Sequence, residues 1–202
     1  MDFLSDIKTA RETVFKFIWF FKVGDNIVYN LRILSLLYTK KEEDSGHQYL
    51  YNKPIIIFIV SVIEAIFFDL MFRLSQSTNE FPKHIPISTR EEIKKHIEKE
   101  KVAQKRPDGK PYRRIKNYQM GILVNFLKKY ELLGDGKCKI YEDLEVATFL
   151  RNRIHIFNYK NNFEADEHRV FSEERLQDVE KVLEDIIKIM SSLYKRPYNK
   201  KG

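Results

Sequence analysis

The chain has 202 residues, of which 43% are hydrophobic and 13% aromatic. This composition supplies a packed core and excludes disorder along the whole length. Its 7 glycines and 6 prolines are fewer than an all-β protein with many tight turns carries. The formal charge of +7 allows binding to a polyanion such as nucleic acid, and is equally compatible with solubility alone.

Cysteine content and the first residues indicate the compartment. Cys138 is the single cysteine, which excludes an intrachain disulfide and a cysteine-based zinc site. One thiol suits a reducing environment. Residues 1–6 contain acidic side chains rather than the basic segment and apolar run of a secretory signal. We therefore predict a cytoplasmic protein.

The first half of the chain is predicted to be helical. Residues 3–21 carry apolar side chains at three- and four-residue spacings, Gly24 and Asp25 are predicted to break this helix, and residues 27–38 form the next one. Residues 54–72 are apolar except for a few side chains, which include the carboxylates Glu64 and Asp69. Two carboxylates inside a bilayer would cost several kcal/mol, so we predict a buried central helix over 52–75 and no membrane contact.

The second half continues this pattern. Ser88 to Glu91 has the form of a capping box, which predicts a polar helix over 89–104. Residues 107–111 predict a turn, and the periodicity predicts helices over 113–133 and 141–157. Ser172 is a good N-cap for a last helix that extends to Tyr194. No strand alternation is convincing, so we predict an all-α bundle in a single domain, residues 1–202.

Most catalytic motifs are missing from the sequence. There is no glycine-rich phosphate loop, no HExxH and no G-x-S-x-G. The 5 histidines are scattered, and none pairs with another at metal-ligand spacing. We therefore predict no metal and no cofactor.

One segment, residues 144–157, does suggest chemistry. If it is a helix, its apolar face consists of Val146, Phe149, Leu150, Ile154 and Phe157. Arg151, Asn152 and His155 then lie on the opposite side, with Arg151 and His155 one turn apart. His155 could transfer a proton to or from the 2′-hydroxyl or the 5′-oxygen of RNA, while Arg151 holds the phosphate. The alternative is that these are solvated side chains on an exposed face.

The same residues carry a family resemblance. The segment LRNRIHIF, on a late helix of a small all-helical protein, resembles the signature of the HEPN superfamily, an arginine with a polar neighbour followed by a histidine. Arg151, Asn152 and His155 match these positions. The family usually places four to six residues between the arginine and the histidine, whereas this chain has three. The apolar helix around Glu64 is similar to the family's earlier helix, which contains an acidic residue. The resemblance covers residues 50–195, with 1–45 as an N-terminal elaboration and 196–202 as a basic tail.

This resemblance implies a concrete function. HEPN ribonucleases are helical bundles that pair as dimers, need no metal, and leave a 2′,3′-cyclic phosphate and a 5′-hydroxyl. Many act in abortive infection, toxin–antitoxin pairs or CRISPR-linked antiviral defence, and an Abi-type protein is the nearest likeness. The resemblance therefore implies RNA as substrate, a homodimer, and a possible antitoxin or guide RNA partner.

A second feature is the basic stretch over residues 101–116. The residues that we predict to contact RNA are Lys105, Arg106, Lys110, Tyr112, Arg113, Arg114 and Lys116. The basic side chains would bind phosphates without sequence preference, and Tyr112 could stack on a base. The alternative is a solvated segment that serves solubility.

Glu64 needs a partner if the central helix is buried, because an unpaired buried carboxylate is costly. Arg151, Arg32, a hydroxyl or a backbone group could each supply it. We expect Glu64 to have a structural role rather than a catalytic one. The sequence as a whole predicts a metal-independent endoribonuclease with Arg151, Asn152 and His155 as catalytic residues. The alternative is a non-catalytic helical RNA-binding module or an accessory subunit of a defence system.

Overall fold

The computed structural model describes residues 12–76, 80–99, 101–105, 111–115, 119–153 and 166–195. The helices of this part of the chain are α1 (Phe21–Glu43), α2 (Asn52–Gln76), α3 (Ile87–Lys99), α4 (Met120–Lys129), α5 (Lys139–Asn152), α6 (Glu167–Val170) and α7 (Glu173–Leu193). A 3-10 turn (Gln48–Tyr51) precedes α2, and strands β1 (Lys101–Lys105) and β2 (Pro111–Ile115) lie between α3 and α4.

Helix α2 is the centre of the bundle. It packs against α1, α3, α5 and α7, and none of its residues from Asn52 to Ser75 is exposed. The predicted buried helix is therefore confirmed, with bounds that match to one residue. Among the described residues, one helical segment (Gln48–Gln76, mean hydropathy 2.6) is long and apolar enough to cross a membrane, and 61% of its most apolar window is buried inside the protein.

The first break in the chain is not where the sequence predicted it. Residues 12–14 are helical, residues 18–20 are not, and α1 begins at Phe21 and continues through Gly24 and Asp25. The cause lies in α2, where the buried Asp69 carboxylate accepts hydrogen bonds from the backbone N–H of Trp19 (3.1 Å) and Phe20 (2.7 Å). These two amides are thereby satisfied outside a helix.

Gly24 has a packing role instead of a breaking one. A Cβ atom at this position would lie 2.8 Å from Cε1 of Phe15, so a larger residue would force the Phe15 ring to move away from α1. Helix α1 extends to Glu43, beyond the predicted end at residue 38.

The region between α3 and α4 differs most from the prediction. Helix α3 begins at Ile87, and the N–H of Arg90 donates to the carbonyl of Pro86 (3.0 Å), so Ser88 lies inside the first turn and the capping-box prediction is wrong. Helix α3 also ends at Lys99, before β1 begins. Strands β1 and β2 pair antiparallel, with Lys101 opposite Ile115. The all-α class is confirmed for the bundle, which carries this hairpin as an addition.

The connection between α4 and α5 is held by Tyr141. Its hydroxyl accepts a hydrogen bond from the N–H of Leu133 (3.0 Å) and donates to the carbonyl of Gly134 (3.0 Å). Burial raises the pKa of Tyr141 to about 12, so this phenol stays protonated at neutral pH. Helix α4 ends at Lys129, earlier than the predicted residue 133.

The last helix follows the prediction closely. Ser172 is its N-cap, and its Oγ accepts a hydrogen bond from the N–H of Arg175 (3.3 Å). Helix α7 then extends to Leu193 and buries a row that includes Val179, Val182 and Ile186 against α2 and α5.

Arg73 connects three parts of the chain inside the protein. Its side chain is 1% exposed, and Nη1 donates to the carbonyls of Phe17 (2.7 Å) and Tyr194 (2.8 Å). Nη2 donates to the carboxylate of Glu80 (3.2 Å), and the guanidinium lies over the Trp19 ring. Burial lowers the pKa of Arg73, but its usual pKa is so high that the group remains a cation.

Candidate functional site

Arg151 lies in the last turn of α5, on the side that packs against the bundle. Ile140, Leu144 and Ala147 are buried. These residues and Arg151 follow one another at intervals of four, three and four residues, which places them on one side of the helix. Arg151 therefore continues the core-facing row of α5. This corrects the prediction that it lies opposite the apolar face.

The predicted apolar face of this helix is wrong. Val146 is 45% exposed and Phe149 is 37% exposed, whereas Leu150 is buried as predicted. The error arose because the predicted helix extended to residue 157, so Ile154 and Phe157 weighted the apolar direction. Helix α5 ends at Asn152, and residues 154–165 lie outside the described residues.

Glu64 of α2 is the partner of Arg151. Its Oε1 lies 2.9 Å from Nε of Arg151, and the side chains are 22% and 36% exposed respectively. Oε1 is buried and receives no hydrogen bond of good geometry from the described residues, so charge attraction holds the pair together. Of the partners considered for Glu64, the structure selects Arg151, while Arg32 is exposed on α1.

This ion pair positions the guanidinium for further contacts. Glu64 approaches Nε, and within the described part of the chain Arg151 forms no ion pair with any other carboxylate. Arginine carries five N–H donors in one plane, so the Nη edge remains available to an anion such as a phosphate. The pair therefore both connects α2 to α5 and presents donors at a partly exposed position.

The other two residues of the predicted motif are placed differently. Asn152 is exposed at the last position of α5, on a different side of the helix from Arg151. His155 lies outside the described residues, so its distance from Arg151 stays a prediction. The structure thus brings Arg151 together with Glu64.

Arg153 was assigned no role from the sequence, yet it is 4% exposed. Its Nη2 lies 4.0 Å from the carboxylate of Glu167 at the start of α6, and Lys53 of α2 pairs with the same carboxylate. Arg153 at the end of α5 and Lys53 of α2 therefore lie near the same carboxylate of α6. The sequence signal for its burial is that Arg153 falls within the predicted apolar arc of residues 144–157, but that arc does not indicate the partner.

The basic stretch contains the hairpin. In its backbone pairing Lys105 is opposite Pro111, Tyr112 opposite Gln104, Arg113 opposite Ala103 and Arg114 opposite Val102. Arg106, Lys110 and Lys116, which complete the predicted RNA contacts, lie outside the described residues. The chain from 113 to 115, predicted to begin a helix, is part of β2.

Within the described ranges, no three His, Cys, Asp or Glu side chains gather in a way that could hold a metal ion. Comparison with protein-family models, curated proteins and solved structures gave no match for this chain.

Proposed function

We propose that the chain is a metal-independent endoribonuclease of the HEPN type. The observation that carries this proposal is the Arg151–Glu64 pair, in which a carboxylate of the central helix lies 2.9 Å from Nε of the motif arginine. A carboxylate amid the apolar residues of an earlier helix, close to the motif arginine, agrees with the resemblance that the sequence carries.

The roles follow from the chemistry of each side chain. His155 takes the proton from the 2′-hydroxyl or gives one to the leaving 5′-oxygen. The O2′–P bond forms as the P–O5′ bond breaks, which leaves a 2′,3′-cyclic phosphate and a 5′-hydroxyl. Arg151 stabilises the charge on the phosphate oxygens. Asn152 orients the substrate or His155 by hydrogen bonds, and Glu64 is a positioning residue that acts through Arg151.

The decisive experiment is incubation of the purified protein with bulk RNA in EDTA, followed by analysis of the product ends. We expect cleavage in the chelator, with 2′,3′-cyclic phosphate and 5′-hydroxyl ends. Products with 5′-phosphate ends, or cleavage that requires an added metal ion, would refute this mechanism.

A second candidate function, a non-catalytic RNA-binding module, is favoured by the basic hairpin. Phosphate binding requires only cations along a surface, whereas cleavage requires Arg151 and His155 at one phosphate. Under this alternative the same incubation gives an RNA complex and no products. In either case an antitoxin or a guide RNA remains a candidate partner in a defence system.

The hairpin is expected to contribute salt-dependent affinity for RNA. Replacing Lys105, Arg106, Arg113 and Arg114 with glutamine should weaken binding and reduce the slope of log K against log salt, by about 0.7 for each phosphate of a single strand that the protein no longer neutralises. Binding at several salt concentrations, measured by fluorescence anisotropy, gives this slope. Lys181→Gln on α7 is a control for the removal of a surface charge, and a slope unchanged by the four substitutions would assign the stretch to solubility.

We also propose a homodimer as the working unit, as the resemblance implies. The described surface supports association, because α1 exposes Phe21 (71%), Tyr29 (65%) and Leu36 (59%) along one side. This apolar row is on α1, whereas Arg151 is on α5.

Mixing experiments test whether two chains cooperate in cleavage. An excess of His155→Ala chains should change the activity of each wild-type chain as mixed dimers form. An excess of His84→Ala chains, each of which keeps its own cleavage site, is the control. Activity strictly proportional to the wild-type concentration, whatever the excess of His155→Ala, would mean that each chain acts alone.

A further inference from the structure

We propose that a cleft at the start of α2 binds a nucleobase. The cleft has a volume of about 820 Å³, and its lining includes Gln48, Tyr49, Asn52, His168, Ser172 and Glu173. It lies between the 3-10 turn, α6 and the start of α7. None of these residues belongs to the proposed cleavage site, so base binding can be measured without cleavage.

Asn52 supplies the chemical reason for a ligand. Its side chain is 1% exposed, and its Oδ1 accepts no hydrogen bond from the residues that the structure describes. Buried amide oxygens nearly always have a donor, because an unsatisfied one loses its bonds to water and gains none in return. A ligand N–H that reaches into the cleft would supply this donor.

Tyr49 supplies a stacking surface. It precedes Asn52 by three residues in the 3-10 turn, and it is 56% exposed. An exposed aromatic ring near a buried hydrogen-bond acceptor suits a flat ligand that stacks on the ring and offers its edge to the amide. Proteins recognise unstacked bases in this way.

The charges around the cleft favour a neutral ligand over a phosphate. Glu173 is paired with Lys41 (2.6 Å), so its charge is balanced within the protein. The Ser172 Oγ accepts from the N–H of Arg175, which leaves the hydroxyl proton to donate. A nucleobase matches this set, because its neighbouring N–H and ring-nitrogen groups are complementary to the oxygen and nitrogen of an asparagine amide.

The experiment compares two ligands that differ in the exocyclic amino group and not in added bulk. The full-length protein is titrated by calorimetry with adenosine and with purine riboside, which lacks this amino group. We expect adenosine to bind at least about tenfold more tightly, since purine riboside leaves the Asn52 oxygen unsatisfied. Equal affinity for the two nucleosides would overturn the assigned contact.

Two variants test the contributions of Asn52 and Tyr49 to binding separately. Asn52→Leu has a similar size and no unsatisfied oxygen, so it should melt no lower than wild type and yet lose the preference for adenosine. Tyr49→Leu, at an exposed position, should bind adenosine about tenfold more weakly because stacking is removed. Wild-type affinity in both variants would overturn the proposal.

The same chemistry could come from a free nucleoside or from a base within an RNA strand. A short adenosine-containing oligonucleotide distinguishes them: binding of the oligonucleotide alone, with the same dependence on Asn52, assigns the cleft to a base within RNA. No saturable binding of either probe would refute the proposal. Cleavage of RNA by the wild type and by His155→Ala is measured in a separate experiment. If the wild type does not cleave RNA, the proposed nuclease activity is refuted, whereas the proposal for this cleft is not affected.

Discussion

Replacing His155 or Arg151 with alanine is expected to lower the rate of RNA cleavage by at least about a hundredfold. His155→Ala removes the proton-transfer group, and Arg151→Ala removes the donors that stabilise the phosphate charge. Single-turnover cleavage of a defined RNA, with the protein in excess, measures the chemical step for each variant.

The Arg151→Ala variant requires a folding control, for a reason that only the structure shows. Because Arg151 faces the core side of α5 and pairs with Glu64, Arg151→Ala also leaves a partly buried carboxylate without its cation. Arg151→Lys keeps a cation for Glu64 but loses the planar fork that binds phosphate oxygens. We expect this variant to retain the melting temperature and to lose most of the activity.

A matched histidine control is His84→Ala. His84 is exposed, and its Nε2 lies 3.4 Å from the carbonyl of Glu131. It should leave cleavage unchanged. Full activity in His155→Ala would end the assignment of catalysis to this motif, and full activity in Arg151→Lys would show that any cation suffices there.

Replacing Arg73 with methionine is expected to destabilise the fold by about 3–5 kcal/mol. The substitution keeps an unbranched side chain but deprives the carbonyls of Phe17 and Tyr194 of their donor. It also removes the cation beside the Glu80 carboxylate, whose side chain is 13% exposed. Urea unfolding followed by circular dichroism gives the free energy of unfolding.

Arg169→Met is the matched control, because its side chain is 73% exposed and its ion pair with Asp166 lies on the surface. Exposed pairs of this kind contribute about 0–1 kcal/mol. A decrease in stability in Arg73→Met no larger than in Arg169→Met would show that the buried guanidinium is not a structural centre. The spacing of Asp69 and Arg73, one helical turn apart, was visible in the sequence without indicating which segments they join.

Local signals predicted the parts of the fold that depend on local physics. The apolar density of residues 52–75 identified the central helix, because a helix buried on every side needs no polar face. Ser172 identified the start of α7, because an N-cap acts on amides within its own first turn. The resemblance in residues 150–157 also came from the sequence.

The sequence by itself determined that this chain forms a helical bundle around an apolar central helix and carries both an Arg151–His155 motif and a basic stretch over residues 101–116. Only the tertiary structure decided the contacts between distant segments: the β1–β2 pairing, the pair between Glu64 and Arg151, and the unsatisfied oxygen of Asn52. Periodicity reports which residues share a face of one helix, but it does not report what that face meets. Asp69 shows the reason most directly, because a carboxylate in α2 ends a helical turn some fifty residues earlier in the chain by accepting its backbone N–H groups.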